Sequence, residues 1–113
     1  MAREQLQNLT ESMFYILLAL SKEPKHGYEI MQSILEISNA RVRVGAGTLY
    51  SLLTRFEKAG MIIRVDLPGG DPRRKTYAMT QKGWDELSKE YERLKKSVAA
   101  CDDYWRVEGD AAR

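Results

Sequence analysis

The order of patterns along this 113-residue chain predicts a mainly α fold with one two-stranded β-hairpin and a single long C-terminal helix. Three observations predict it. Apolar residues recur at helical spacing in three short stretches before Gly60; the period then drops to two on either side of a turn rich in Pro and Gly; and from Trp84 the apolar positions keep alternating gaps of three and four. With 43% apolar and 30% charged residues, three prolines and eight glycines, the chain suits one compact domain. At this size roughly 60 to 70% of the unfolded surface is buried, a thin core that gains from a partner subunit.

The first helix follows from Leu9, Met13, Ile16, Leu17 and Leu20, an apolar stripe that Asn8 or Thr10 can cap and that Pro24 closes off. The second runs from His26 or Gly27 to Ser38, with Ile30, Ile34 and Ile37 on one face, Met31 and Leu35 beside them, and Glu29, Gln32, Ser33 and Glu36 outside. A basic connection, Arg41-Val42-Arg43-Val44, leads to Gly45-Ala46-Gly47, where glycines permit unusual angles or a close approach. The third helix spans 48–59 and stops at Gly60, a residue suited to a left-handed cap. Leu49, Leu52, Leu53 and Phe56 share its apolar side; Ser51, Thr54 and Lys58 lie opposite, flanked by Tyr50 and Arg55.

Residues 61–66 have strand character, 67–72 are dense in turn formers and 75–79 make the returning strand, so Arg73, Arg74 and Lys75 sit where the tip rejoins it. Thr80 caps the last helix. Its apolar positions are Trp84, Leu87, Tyr91, Leu94, Val98, Cys101 and Trp105, the seam of a helix that packs along its length against other helices. Over 81–106 it reaches about 39 Å at ~1.5 Å per residue. Three short helices and a hairpin cannot cover that length, so much of the seam calls for a second chain.

Lys plus Arg number 18 against 16 Asp plus Glu, too even a balance to name a polyanionic partner by itself. One cysteine, Cys101, and one histidine, His26, can make neither an intrachain disulfide nor a zinc site. No paired carboxylates beside a histidine, no Ser-His-Asp set and no phosphate-cradling glycine loop can be assembled, which predicts a chain that is not an enzyme and takes no cofactor or metal. The first residues lack the apolar run of a signal peptide and no stretch approaches the roughly 20 apolar residues of a membrane span, so a cytoplasmic protein is expected.

Three helices followed by a hairpin is the order of a winged helix-turn-helix, whose third helix enters the DNA major groove while the hairpin reaches the adjoining backbone. The charge is distributed to match. Eight basic residues between Arg41 and Lys75 meet only Glu57, Asp66 and Asp71, whereas beyond residue 80 seven basic residues face eight acidic ones. Thr48, Tyr50, Ser51, Thr54, Arg55 and Lys58 are therefore read as base and phosphate contacts, the alternative being an ordinary solvated face, with Tyr50 at the edge of the apolar stripe. Arg43 belongs to the same basic approach. Arg73, Arg74 and Lys75 at the wing are read as phosphate or minor-groove contacts. At the start of the second helix Lys25, His26 and Tyr28 are placed for a phosphate at a helix N-terminus, unless Gly27 and Tyr28 serve packing.

Four segments together resemble the PadR family of transcriptional regulators: Leu9-Thr10-Glu11-Ser12-Met13-Phe14-Tyr15-Ile16-Leu17, His26-Gly27-Tyr28-Glu29-Ile30, Gly47-Thr48-Leu49-Tyr50, and Arg73-Arg74-Lys75-Thr76-Tyr77 with Thr80 and Gly83 after it. The resemblance covers residues 9–94. It implies a winged-helix homodimer on a pseudo-palindromic operator of double-stranded DNA, usually a repressor released by a small molecule, with the last helix as dimerisation element. The chain matches the family's short form, which divides it into a winged region over 1–80, a dimerisation helix over 81–106 and a frayed tail over 107–113. Family inducers include phenolic acids and planar cationic drugs; the drug-binding members carry a tryptophan in the last helix where this chain has Leu94. Phe14, Tyr15, Tyr91 and Leu94 are the candidates for a pocket that takes an aromatic inducer, against the plainer reading that such a stripe is core. A winged-helix module for protein contacts is the competing function, and a seam-buried Cys101 the plain reading of that residue.

Overall fold

The computed structural model describes residues 8–71 and 73–112, with side chains placed as far as Trp105. Expectations that fall on residues 1–7, Pro72 and Arg113 lie outside the described residues. The elements are α1 (Glu11–Leu20), β1 (Lys25–His26), α2 (Gly27–Ile37), α3 (Ala46–Lys58), β2 (Ile62–Val65), β3 (Thr76–Met79) and α4 (Gln81–Ala112).

Thr10 is the cap of α1: its hydroxyl accepts from the Met13 N–H at 3.2 Å, and the helix buries Met13, Ile16, Leu17, Ala19 and Leu20. The chain then becomes extended for two residues. These form the strand β1, which pairs antiparallel with β3 through Lys25↔Tyr77 and His26↔Thr76, so the two-stranded hairpin gains a third strand in the order β1-β3-β2. Two residues are too short to show a period of two, which is why only the hairpin is legible in the sequence. Within it, Ile62↔Met79 through Val65↔Thr76 set the register.

His26 begins α2 with a reciprocal cap, its backbone N–H donating to Glu29 Oε1 at 3.0 Å while Nδ1 accepts from the Glu29 N–H at 3.4 Å. The helix α3 starts two residues earlier than Thr48. Gly45 takes an ordinary extended conformation there, and its carbonyl accepts from the Leu49 N–H at 2.9 Å, so the buried Leu49 anchors the first turn despite the glycines. At the other end Gly60 adopts φ +77°; its N–H and that of Met61 reach back to the Glu57 and Phe56 carbonyls at 3.0 and 2.9 Å, closing the helix and turning Met61 into the core.

One core joins Ile16, Leu17, Ile30, Ile34, Leu49, Leu53, Phe56, Met61 and Ile62, with Tyr77 from β3 and Leu87 from α4. Thr80 ties α4 to it, donating to the Gly60 carbonyl at 2.6 Å and accepting from the Gly83 N–H at 3.1 Å. Gly83 lets this helix lie against the chain entering β2: a Cβ there would stand 2.2 Å from the Met61 carbonyl oxygen. Backbone cannot swing aside as a side chain can. Gly83→Ala, which helix propensity alone would favour by about 1 kcal/mol, is expected instead to lower unfolding free energy by about 2 to 3 kcal/mol through overpacking; urea denaturation monitored by far-UV circular dichroism decides the sign.

The last helix extends past residue 106, through Gly109, to Ala112. A single glycine weakens a helix by about 1 kcal/mol without ending it, and no proline intervenes. Its first turns bury Gly83, Leu87 and Glu90 against the body; from Tyr91 to Trp105 every residue is exposed, and the molecule is 60 Å long.

Candidate nucleic-acid interface

The apolar side of α3 is committed to the core, which turns Thr48, Tyr50, Ser51, Thr54, Arg55 and Lys58 outward, all exposed. Thr54 donates its hydroxyl proton to the Tyr50 carbonyl at 2.9 Å, leaving its oxygen as an acceptor toward an incoming group. Arg43 is exposed on the approach to this helix, between the buried Val42 and Val44. The alternation in-out-in explains why a basic connection can also be a core segment.

The pairing of β1 with β3 brings the start of α2 up to the wing. Arg74 Nη1 lies 2.8 Å from His26 Nε2, across 48 residues of chain. A neutral imidazole cannot accept at both nitrogens. The two contacts therefore belong to alternative tautomers: Nε2 accepts from Arg74 when the ring proton is on Nδ1, and Nδ1 accepts from the Glu29 N–H, at 3.4 Å, when it is on Nε2. Arg73 is engaged with Asp71, its Nε 3.3 Å from Oδ1; the Arg73 backbone N–H first, and then its guanidinium, hold the Asp71 carboxyl below the usual carboxylate range. Lys75 is exposed beside them.

The glycine of His26-Gly27-Tyr28 is there for a close approach. Tyr50 of α3 lies across it, its hydroxyl 2.1 Å from where a Cβ would stand, so any side chain at residue 27 would displace a tyrosine of the outward face. Tyr50 thus both packs and remains half exposed. Around this contact opens a concavity of about 550 Å³ lined by His26, Gly27, Tyr28, Tyr50, Arg73, Arg74 and Lys75. Two helices and the wing meet there, with the wing cations on one rim and Tyr50 of α3 on the other.

Lys25, grouped with these residues in the sequence, is turned away from them. Its side chain is only 12% exposed, with Nζ donating to the Ala19 carbonyl at 3.0 Å and 3.6 Å from Glu23 Oε2. It closes the C-terminal end of α1, where a cation is favoured by the helix dipole.

On α4 the seam divides. Trp84, Tyr91, Leu94, Val98, Cys101 and Trp105 are exposed, but Leu87 is 6% exposed and belongs to the chain's own core. Phe14 and Tyr15 meet edge to face at 5.6 Å and, with Leu94, line a cavity of about 320 Å³ between α1 and α4. Tyr91 lies outside that cavity, one helical turn away with Lys95 over its ring at 5.2 Å. Glu11, Glu90 and Arg93 take part instead. Glu90 is a buried carboxylate whose Oε1 accepts from Arg93 Nε at 3.0 Å; that guanidinium holds it below the usual range against the opposing effect of burial. The spacing of Gly83, Leu87 and Glu90 marks this inward face in the sequence, hidden because Leu87 also fits the heptad.

Among the described residues no group of three or more His, Cys, Asp and Glu could hold a metal, and no helix is long and apolar enough to cross a membrane.

The family model for the transcriptional regulator PadR-like family matches residues 16–89. Among solved structures the chain is similar to RosR of H. salinarum, at 31% identity over 94% of this chain and 93% of that one with a TM-score of 0.66. It is also similar to a transcriptional regulator from Clostridium thermocellum, at 26% identity over 81% of this chain and 90% of that one, TM-score 0.69. A PadR-like transcription factor from Bacteroides fragilis is 33% identical over 79% of this chain and 87% of that one, TM-score 0.59. No curated protein matches it.

Proposed function

This chain belongs to the PadR-like family of transcriptional regulators, DNA-binding proteins and not enzymes, and from that membership we propose that it is a cytoplasmic, homodimeric repressor of a pseudo-palindromic operator. Thr48, Tyr50, Ser51, Thr54 and Arg55 of α3 read base edges, with Lys58 and Arg43 on phosphates. Arg73, Arg74 and Lys75 hold the adjoining backbone, with His26 and Tyr28 beside them. The observation that carries this assignment is the concavity where the wing cations and the start of α2 meet Tyr50, the member of the outward face of α3 that lines it. Phosphate contacts orient such a module and base contacts give it sequence preference.

The exposed seam of Trp84, Tyr91, Leu94, Val98, Cys101 and Trp105 supports pairing through α4. Two-fold pairing sets the two α3 helices on half-sites about 34 to 36 Å apart. The cavity between α1 and α4, with its two aromatic rings, supports release by a small aromatic molecule seated beside the dimer seam.

Selection from a random duplex pool at low salt, followed by footprinting, tests the assignment. Two protected half-sites one helical turn apart are expected; retention of no duplex of any kind overturns it in favour of a protein-interaction module. On the selected duplex, Arg55→Ala is expected to cost about 1 to 3 kcal/mol and to relax preference at one base position, as read by fluorescence anisotropy.

A further inference from the structure

We propose that Arg41 is a positioning residue for α3: clamped by two side chains of α1, it holds the α2–α3 connection from which the DNA-reading helix starts. The proposal rests on the reading of α3 given above. The connection is unusual in its backbone. Asn39 and Ala40 take φ of +55° and +63°, the non-glycine residues with positive φ among those described. Asparagine tolerates that region, whereas alanine is strained there by contact of its Cβ with the following carbonyl.

On its inner side the connection is held by buried groups. The Ser38 hydroxyl donates to the Ile34 carbonyl at 2.7 Å and accepts from the Val42 N–H at 3.0 Å, and the Ala40 N–H reaches the Leu35 carbonyl at 2.7 Å. Its outer side is held by Arg41. One guanidinium nitrogen lies 2.9 Å from Glu11 Oε2 and the other donates to the Tyr15 hydroxyl at 3.1 Å, joining the connection to α1 across 26 residues. The helix that follows has no local anchor of this kind, because Gly45 at its N-cap offers no side-chain hydrogen bond. Beyond the burial of Leu49, its starting position is therefore set by the connection before it.

Charge separates Arg41 from its neighbours. Arg43 and Arg55 are exposed cations on the reading side, whereas the charge of Arg41 is already met by Glu11, so a phosphate must compete with a carboxylate for it. Glu11 and Tyr15 also line the cavity between α1 and α4, which places this clasp on the border between that cavity and the reading helix.

The test uses Arg41→Met, Glu11→Gln and Tyr15→Phe in the full chain. Two quantities are read: affinity for the selected duplex across a range of salt, and amide hydrogen exchange without DNA at residues 49–52, the first amides of α3 that have helical carbonyl acceptors. Each variant is expected to weaken duplex binding about two- to five-fold, the range of an exposed ion pair. The salt slope should stay unchanged, exchange at the start of α3 should rise, and Glu11→Gln should add nothing to Arg41→Met. A phosphate contact has the opposite signature: Arg41→Met would lower the salt slope by about one, and Glu11→Gln, by freeing the guanidinium, would strengthen binding. Either result, or unchanged exchange in all three variants, overturns the proposal. Were the wild-type chain to hold no duplex, the reading of α3 would fall while the exchange data still decided the clasp.

Discussion

Replacing Leu94 and Val98 together by glutamate is expected to convert the protein to monomers and to remove high-affinity operator binding. From Tyr91 to Trp105 every residue of the last helix is exposed, with Arg93 and Leu94 bordering the cavity beside α1, yet the segment carries Leu94, Val98 and Trp105 on one stripe, with Val98 59% exposed. A helical segment of that length is marginal in water by itself. The Glu92–Lys95 pair within it, at 3.9 Å, adds only a few tenths of a kcal/mol. A second copy covering the stripe, as proposed above, would supply the missing burial, about 25 cal/mol for each Å² of apolar surface removed from water. Two glutamates placed there would desolvate unpaired charge at each copy of the interface. Loss of the dimer also forfeits the gain from engaging two half-sites at once, typically 10²- to 10⁴-fold. Sedimentation velocity measures the first effect and anisotropy on the selected duplex the second; a variant that sediments like the wild type would refute pairing through this seam.

The second large effect is electrostatic. Changing Arg73, Arg74 and Lys75 to alanine is expected to weaken binding to every duplex, whatever its sequence, on the order of a hundred-fold at moderate salt. Two charge-assisted contacts at roughly 1.5 kcal/mol each account for that loss. Arg73 is the smaller contributor, because Asp71 already holds it at 3.3 Å and must be given up before a phosphate is gained. Plots of log affinity against log salt should accordingly flatten by about two, each phosphate contact contributing a slope of about 0.9. An unchanged slope would remove the wing from the interface. The triple variant is also expected to keep its thermal stability, since these side chains are solvated and outside the core; that separates lost contacts from lost folding.

His26 shows how differently the two levels of information bear on one residue. Its place before Gly27 and Tyr28 suggests a phosphate-facing helix start, and the capping exchange with Glu29 lies three residues away, within reach of a sequence pattern. The approach of Arg74 to the same ring spans 48 residues and depends on a two-residue strand that has no pattern of its own. Lys25 differs from it for the same reason. Strand pairing fixes the direction of both side chains, and alternation sends one toward the wing and the other to the end of α1.

What depends on short-range spacing was legible from the amino acids alone. The apolar periods that place α1, α2, α3 and the hairpin, the left-handed stop at Gly60 and the unpartnered stripe of α4 all follow from residues within a few turns of one another. Packing in three dimensions decided the rest: Gly27 makes room for Tyr50, Leu87 leaves the seam for the core, Tyr91 stands outside the cavity that Glu90 and Arg93 enter, and Arg41 reaches Glu11. Those outcomes turn on the distance and direction between elements far apart in the chain, and a heptad or a basic run has the same spacing whichever neighbour it finally meets.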